Sequence, residues 1–500
     1  MSFDQQRIGE LIGLLPAAGR GVRAYPYTRE VPKSMLEIDG VPILRRNVEL
    51  MRDQLGIRDV RIVVGHHGDV IRDAFGDGSA LGLRITYVEN PRIDLELPYS
   101  VYLGGRTIDR PCCMILADEC YVDTNHADML AAMDPSALAM LGLISSEYKK
   151  HIRKNYVVEI RDGRIHDLIE KPTTVSSRLM GTGTYLLQPE VFRRLEAAYA
   201  DGPEGGPRDW TGWLASLARS GEKILPFQLR GSYVNVNSRD DLNYANYLVR
   251  DLRFKERATS LVYIIDDDEE AAAGPVLRFA GEAEIDEVVA VARRSVDSLR
   301  EAEKHEKVRL AIAPTPDLPI GDLVRLGLDS ARGDILLMSY SDDTFAPRDV
   351  SKLLVYLRDA DMVVGTRTTR QMIEQGTNMR GVVRIAHVLL AKLLQVFWWR
   401  FDSRFTDVGC VYRGLWRSTW NSIRDHLRAE GVEVFPEMVI EVLRARRRVI
   451  EVPVNYYNRD LEFDYVPGRH QSVGTFARVL WLIVSKRFSG APWPLRRRTL

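Results

Sequence analysis

The sequence predicts an α/β protein of two Rossmann-like three-layer domains, each a mostly parallel sheet flanked by helices. Three observations lead there. Strand-length apolar runs alternate with stretches of helical period from about residue 11, and the same alternation restarts near residue 260. The chain's 500 residues also exceed what one core normally covers.

Residues 11–15 are a short apolar run bounded by Pro-Ala-Ala-Gly-Arg-Gly, a buried strand entering a Gly-rich turn. Ile43, Leu44, Val48, Met51 and Leu55 recur at helical spacing, and residues 60–64, 83–88 and 113–116 supply further strands. Beyond Tyr156, two strands flank Asp162-Gly163, a hairpin turn signal, and residues 189–200 and 210–220 read as helices. Residues 250–259 are charged and show no stripe to bury, which puts a domain boundary there. Strands at 261–265, 288–292, 308–312 and 335–338 follow, with helices between. The expected layout is 1–250, a linker at 251–260, a second domain over 261–488 and a basic tail at 489–500.

Sixty-nine Lys and Arg balance 69 Asp and Glu, which argues against a general polyanion binder. Cys112, Cys113, Cys120 and Cys410 lack zinc-site spacing or a disulfide framework. The first residues do not read as a signal peptide, and no run reaches the roughly 20 apolar residues of a bilayer span. Residues 385–399 and 476–488 read first as core helices. A cytoplasmic protein is expected, peripheral on the inner face of the plasma membrane if the tail binds lipid. That tail contributes Arg496, Arg497 and Arg498 beyond Lys486 and Arg487, with no acid after Ser485.

The densest motif is Leu-Pro-Ala-Ala-Gly-Arg-Gly-Val-Arg-Ala-Tyr-Pro-Tyr-Thr-Arg-Glu-Val-Pro-Lys over residues 15–33. A strand ending in small residues lets the backbone approach a ligand and offer N–H groups to phosphates. Arg23 and Lys33 add fixed positive charge where a phosphoryl-type reaction develops negative charge. This stretch resembles the signature of the sugar-phosphate nucleotidylyltransferases, with Pro16 as the departure. The resemblance implies that Ala17, Ala18, Gly19 and Gly21 contact nucleotide, Arg23 the triphosphate and Lys33 the α-phosphate. It also implies Mg²⁺ (or Mn²⁺) on Asp118, which follows a strand and whose plainer reading is a helix N-cap; Glu119 is the substitute ligand. Glu170 and Lys171, in Ile-Glu-Lys-Pro, resemble the element facing the sugar phosphate, and Gly183 in Gly-Thr-Gly-Thr-Tyr the strand closing the sugar pocket. Asn237, with Asn235 as the alternative, falls where a second metal ligand is expected, one charge short of the usual aspartate. Residues 89–103 partly resemble the phosphocholine and inositol-phosphate cytidylyltransferase branch, which brings in Ser100 and leaves CTP and a non-hexose phosphate open; Glu96 stands where that pattern has asparagine.

Residues 334–347 (Asp-Ile-Leu-Leu-Met-Ser-Tyr-Ser-Asp-Asp-Thr-Phe-Ala-Pro) resemble the metal- and donor-binding turn of family-2 glycosyltransferases of the polyprenyl-phosphate type, a GT-A-like fold. Asp342 takes the second acidic position, Tyr340 stands at the first, and Asp343 is where glycine is usual. Residues 361–370 and 405–413 resemble that family's basic loop and acceptor segment, which implies Asp407 as base or acceptor-orienting carboxylate and Arg413 as a phosphate ligand. Glu437 and Arg459 come from its closing helix and strand. Two departures stand out: Ile265-Asp266-Asp267-Asp268-Glu269 lacks the usual Pro-x-x-Asn-Glu, and Ala292-Arg293-Arg294-Ser295 lacks the usual acidic base-binding turn.

The expected activity is bifunctional. The first domain joins an NTP to a sugar, polyol or amino-alcohol phosphate and releases pyrophosphate. The second passes a glycosyl group from a nucleotide-activated donor to a lipid phosphate at the membrane surface. The rival is an active first domain with a second that only binds lipid or a partner.

Overall fold

The computed structural model describes residues 11–21, 28–29, 31–175, 177–252, 254–266, 269–340, 344–372, 381–398, 404–457 and 473–488. Arg23, Asp342, Asp343, Arg459 and the basic tail lie outside them. The chain divides into two compact units, one running to Leu252 and the other starting at Arg253.

The first unit is built on a seven-stranded sheet. Its first strand, Ile12–Pro16, lies parallel between Asp59–Val64 and the central Cys112–Ile115. Arg84–Glu89 closes one edge, and Leu179–Leu187, Ala139–Ser145 and Ile224–Leu229 complete the other side. Leu179–Leu187 is the antiparallel member, against both neighbours. Leu14 and Leu15 are both fully buried but enter different cores, because consecutive side chains on a strand point to opposite faces. Helices on both faces explain why these strands are continuously apolar.

A seven-stranded sheet also forms the second unit, in the order Val308–Ile312, Glu287–Ala292, Thr259–Ile264, Ile335–Tyr340, Arg413–Trp416, Met362–Thr366, Val449–Pro453. Arg413–Trp416 is antiparallel to both neighbours; the remaining pairs are parallel. Numbered along the chain within each unit, both sheets run 3-2-1-4-6-5-7 with the sixth strand reversed. The two units therefore share one sheet topology. Strand Ile335–Tyr340 occupies the place that Cys112–Ile115 has in the first.

Three expectations need correction. The charged stretch after residue 250 is not a free linker at its start: helix Arg239–Leu252 carries through it, and Arg250 is buried against Asp39 at 3.3 Å. A charge can be buried once a partner carboxylate offsets its desolvation, which the composition of the stretch does not reveal. Helices Gly381–Phe397 and Val473–Phe488 form, but neither is a buried core helix. Val382, Ile385, Leu389 and Val396 on the first, and Trp481 and Phe488 on the second, are exposed. Among the described residues no helix is long and apolar enough to cross a membrane. Finally, Asp118 caps no helix; its turn leads into strand Glu119–Val122.

Candidate active site

A cavity of about 700 Å³ opens above the carboxyl end of the first unit's sheet. Residues 17–21 run across its floor. Ala17 N donates to Val63 O at 2.8 Å and His66 N to Ala18 O at 3.3 Å, so the small residues stay tied to the sheet while lining the cavity. Gly21 has φ +61°, and a Cβ there would lie 2.9 Å from the Lys33 Cβ. Glycine is thus required both by the backbone turn and by the close passage of Lys33.

Lys33 begins a short 3₁₀ turn, Lys33–Met35, after Pro32. Its ammonium is ion-paired with Asp118 and donates to Asn237 Oδ1 at 2.7 Å. Asn237 in turn donates to Asn235 Oδ1 at 2.6 Å. Residues 118 and 237 meet because Ser232–Asn235 pairs antiparallel with Glu119–Val122, Asn235 opposite Glu119. Asp118 and Asn237 thus turn a carboxylate and an amide oxygen onto one cation, a donor set that suits a hard divalent ion. Among the described residues there is no group of three or more His, Cys, Asp or Glu side chains arranged for a metal.

On the opposite wall, Glu170 ends the second hairpin strand and is ion-paired with Lys171, whose backbone sits at φ +46° with its N–H on Asn155 O. Gly183 packs where a Cβ would meet the Glu119 carboxylate at 2.8 Å. Glu119 is 1% exposed, and burial, reinforced by the neighbouring Asp118 charge, pushes its carboxyl up to about 8. Asp209 accepts from Thr211 N and Gly212 N, capping helix Trp210–Arg219; burial and Glu170 raise its carboxyl. Ser100 lines the cavity from helix Glu96–Gly105 and accepts from Asn90 Nδ2 at 2.8 Å.

The described nucleotide, metal and sugar-phosphate candidates of the first domain therefore line one cavity. Sequence reasoning missed Tyr156, Asp209, Trp210 and Tyr233 of the cavity lining. Asp209 had a local signal, an aspartate directly before an apolar helical stretch. Tyr156 and Tyr233 had none, since each reaches the cavity only through strand pairing.

The second unit's candidates are placed differently. Asp407 is fully buried. Arg367 grips it through Nε at 2.7 Å and Nη2 at 2.9 Å, and His387 Nδ1 lies 3.2 Å away. Burial alone would raise its carboxyl, but these partners outweigh that and hold it well below the usual carboxylate range. Both oxygens are occupied, so the expectation of a base at the acceptor is corrected: Asp407 is a buried brace for Arg367. Arg413, expected on a phosphate, is also fully buried and donates to the backbone oxygens of Cys410, Val408 and Phe435. Glu437 accepts from Arg428 N and Ala429 N and pairs with Lys486 at 2.7 Å. All three hold loops and helices together, because a charge withdrawn from water must find its partner inside the fold. Tyr340 donates to Asp266 Oδ2 at 2.7 Å, and Arg293 pairs with Asp266 at 2.5 Å.

Residues 12–250 match the nucleotidyl transferase family model. Among curated relatives, the low-salt glycan biosynthesis nucleotidyltransferase Agl11 of Haloferax volcanii is 27% identical over 253 residues, covering 49% of this chain and 68% of the relative. The UTP–glucose-1-phosphate uridylyltransferase AglF of the same organism is 27% identical, covering 46% and 92%. The glucose-1-phosphate thymidylyltransferase of Streptomyces griseus is 29% identical, covering 47% and 65%. A solved UDP-glucose pyrophosphorylase complexed with UDP-glucose covers 50% of this chain and 100% of its own, at 24% identity and TM-score 0.42. The family match ends at residue 250, so the second unit is judged on its own residues.

Proposed function

We propose that the first unit transfers a nucleotidyl group from an NTP to a phosphate ester, in the first instance a sugar 1-phosphate. The observation that carries this is the convergence of Lys33, Asp118 and Asn237 beside the small-residue floor of the cavity. The ester phosphate oxygen attacks the α-phosphorus in line, and the bond to the bridging oxygen breaks, releasing pyrophosphate. Lys33 offsets the charge that develops on the α-phosphate, and the backbone at residues 17–21 holds the phosphates. Asp118 and Asn237 would hold Mg²⁺ (or Mn²⁺), which when bound neutralises triphosphate charge. Arg23, outside the described residues, is assigned to the triphosphate by motif position. Names of the relatives support the sugar ester; the base stays open among the five common NTPs. Pyrophosphate release with glucose 1-phosphate, present in the parent and lost in Lys33→Ala, tests the reading.

A second activity is assigned to the second unit: glycosyl transfer from a nucleotide-activated donor to a polyprenyl-phosphate-like acceptor at the inner membrane face. Two observations favour it. Its sheet repeats the topology of the first unit, so the acidic segment after Ile335–Tyr340 follows the strand equivalent to the one before Asp118. Six of the fourteen exposed large hydrophobics among the described residues lie on helices Gly381–Phe397 and Val473–Phe488. Those helices contain Arg and Lys but no Asp or Glu, which suits an anionic lipid surface. The alternative, a unit that binds lipid or partner without turnover, is favoured by Tyr340 at an acidic position and by the internal roles of Asp407 and Arg413. Lipid-dependent glycosyl transfer by the whole chain, lost in Asp342→Asn, separates the two.

A further inference from the structure

A second depression, of about 430 Å³, lies on the first unit and shares no lining residue with the active cavity. Its size is that of a small-ligand site. Helix Glu96–Gly105 joins the two: Glu96 and Ser100 line the active cavity, while Leu103 and Arg106, at and just past its other end, line the depression. Three charged side chains, Arg61, Arg106 and Glu196, belong to that lining, and among the described residues none of them is in an ion pair. Arg61, on strand Asp59–Val64, uses Nη1 alone on the fold, donating to Gly104 O at 2.6 Å and to Thr107 Oγ1 at 3.0 Å. Its Nε and Nη2 have no acceptor among the described residues, and that edge of a guanidinium can grip a phosphate through two parallel N–H···O bonds. Burial disfavours the Arg61 charge, and no carboxylate offsets it. Arg106 lies over the Tyr102 ring, 5.5 Å from its centroid, which steadies a second cation without a carboxylate. Thr86 adds a hydroxyl. Glu196, exposed on helix Pro189–Ala198, offers oxygens that only accept. Opposite charges that share a depression without pairing suit a ligand with an anion at one end and hydroxyl donors at the other.

We propose that this depression is a second ligand site, for a phosphate monoester that carries free hydroxyls. Arg61, through Nε and Nη2, and Arg106 take the phosphate, and Glu196 accepts from the hydroxyls. The site does no chemistry in nucleotidyl transfer, and it stands or falls independently of that reading.

Hydrogen exchange of the whole protein locates the binding, with glucose 6-phosphate and glycerol 3-phosphate as probes and inorganic phosphate and glucose as controls. The expected result is slowed exchange over residues 84–89 and 101–108 with at least one of the two esters, at a concentration where neither control has that effect. Arg106→Gln and Glu196→Gln alter exposed side chains and leave the bond from Arg61 to Gly104 in place, so both variants fold. Each is expected to weaken the response at least about tenfold, the size of one charge-assisted hydrogen bond. Lys33→Ala, in the active cavity, leaves it unchanged. No slowing with either ester at millimolar concentration overturns the proposal. So does inorganic phosphate acting as well as the esters, which would make this a bare anion site. A response that survives in both Arg106→Gln and Glu196→Gln, or is lost in Lys33→Ala, belongs elsewhere and overturns it too.

Discussion

Lys33 and Asp118, 85 positions apart, are ion-paired beneath the loop of residues 17–21, with Asn237 on the same ammonium at 2.7 Å. If this cation carries the charge that builds on the α-phosphate, Lys33→Ala lowers kcat for pyrophosphate release by at least about 10²-fold, the usual cost of a lost oxyanion-stabilising group. Circular dichroism of the variant stays native, because Lys33 lies at a cavity edge and not in a core.

Asn237 supplies a neutral oxygen next to the single carboxylate of Asp118. Asn237→Asp adds one negative charge there and is expected to lower the Mg²⁺ concentration for half-maximal activity roughly tenfold, the size of a 1–2 kcal/mol charge interaction at a partly exposed site. Asp118→Asn moves it in the opposite direction. A metal titration of initial rates reads both.

Gly181 lies where a Cβ would come within 1.9 Å of the Tyr156 ring. Gly181→Ala must displace a buried tyrosine of the cavity wall and is expected to cost about 1–3 kcal/mol in urea unfolding. KM for the ester rises in the same variant.

Much of this was legible in the sequence, and the parts that were not share a cause. The strand at Ile12–Pro16, the helix at Ile43–Leu55 and the hairpin around Asp162-Gly163 follow from period and turn chemistry, which are local. The frame of residues 15–33 joined Gly21 to Lys33 because both lie in one stretch. Tyr156, Tyr233 and the partnering of Asn237 with Lys33 depend on strand pairing between distant segments, which no window reveals. Arg250, Asp407, Arg413 and Glu437 show the reverse difficulty. A charged residue in a motif reads the same whether it faces a ligand or a buried partner, and only the fold tells which.

Asp407 provides a test of that distinction. If it braces Arg367, Asp407→Ala leaves a buried guanidinium unpaired and costs about 3–5 kcal/mol. Hydrogen exchange across the second unit then shows lowered protection, whereas a base facing solvent would leave protection unchanged.

His126 links stability to pH. Burial pulls its ring from an ordinary value near 6.5 down to about 4, with Thr124 Oγ1 2.9 Å from Nδ1 and Thr184 Oγ1 3.2 Å from Nε2. The unfolded chain therefore binds the proton more readily. The neutral ring's contribution is fully present above about pH 6.5 and is lost as pH falls toward 4, by about 3 kcal/mol. Urea midpoints from pH 7 to 4.5 are expected to fall less steeply in His126→Gln than in the parent.

The most direct test of nucleotidyl transfer is pyrophosphate release by the whole protein with Mg²⁺, five NTPs and a panel of neutral and aminated phosphate esters. The account predicts strong release for one base paired with one ester class, abolished in Lys33→Ala. No release from any pair, or release that persists undiminished in Lys33→Ala, would contradict it.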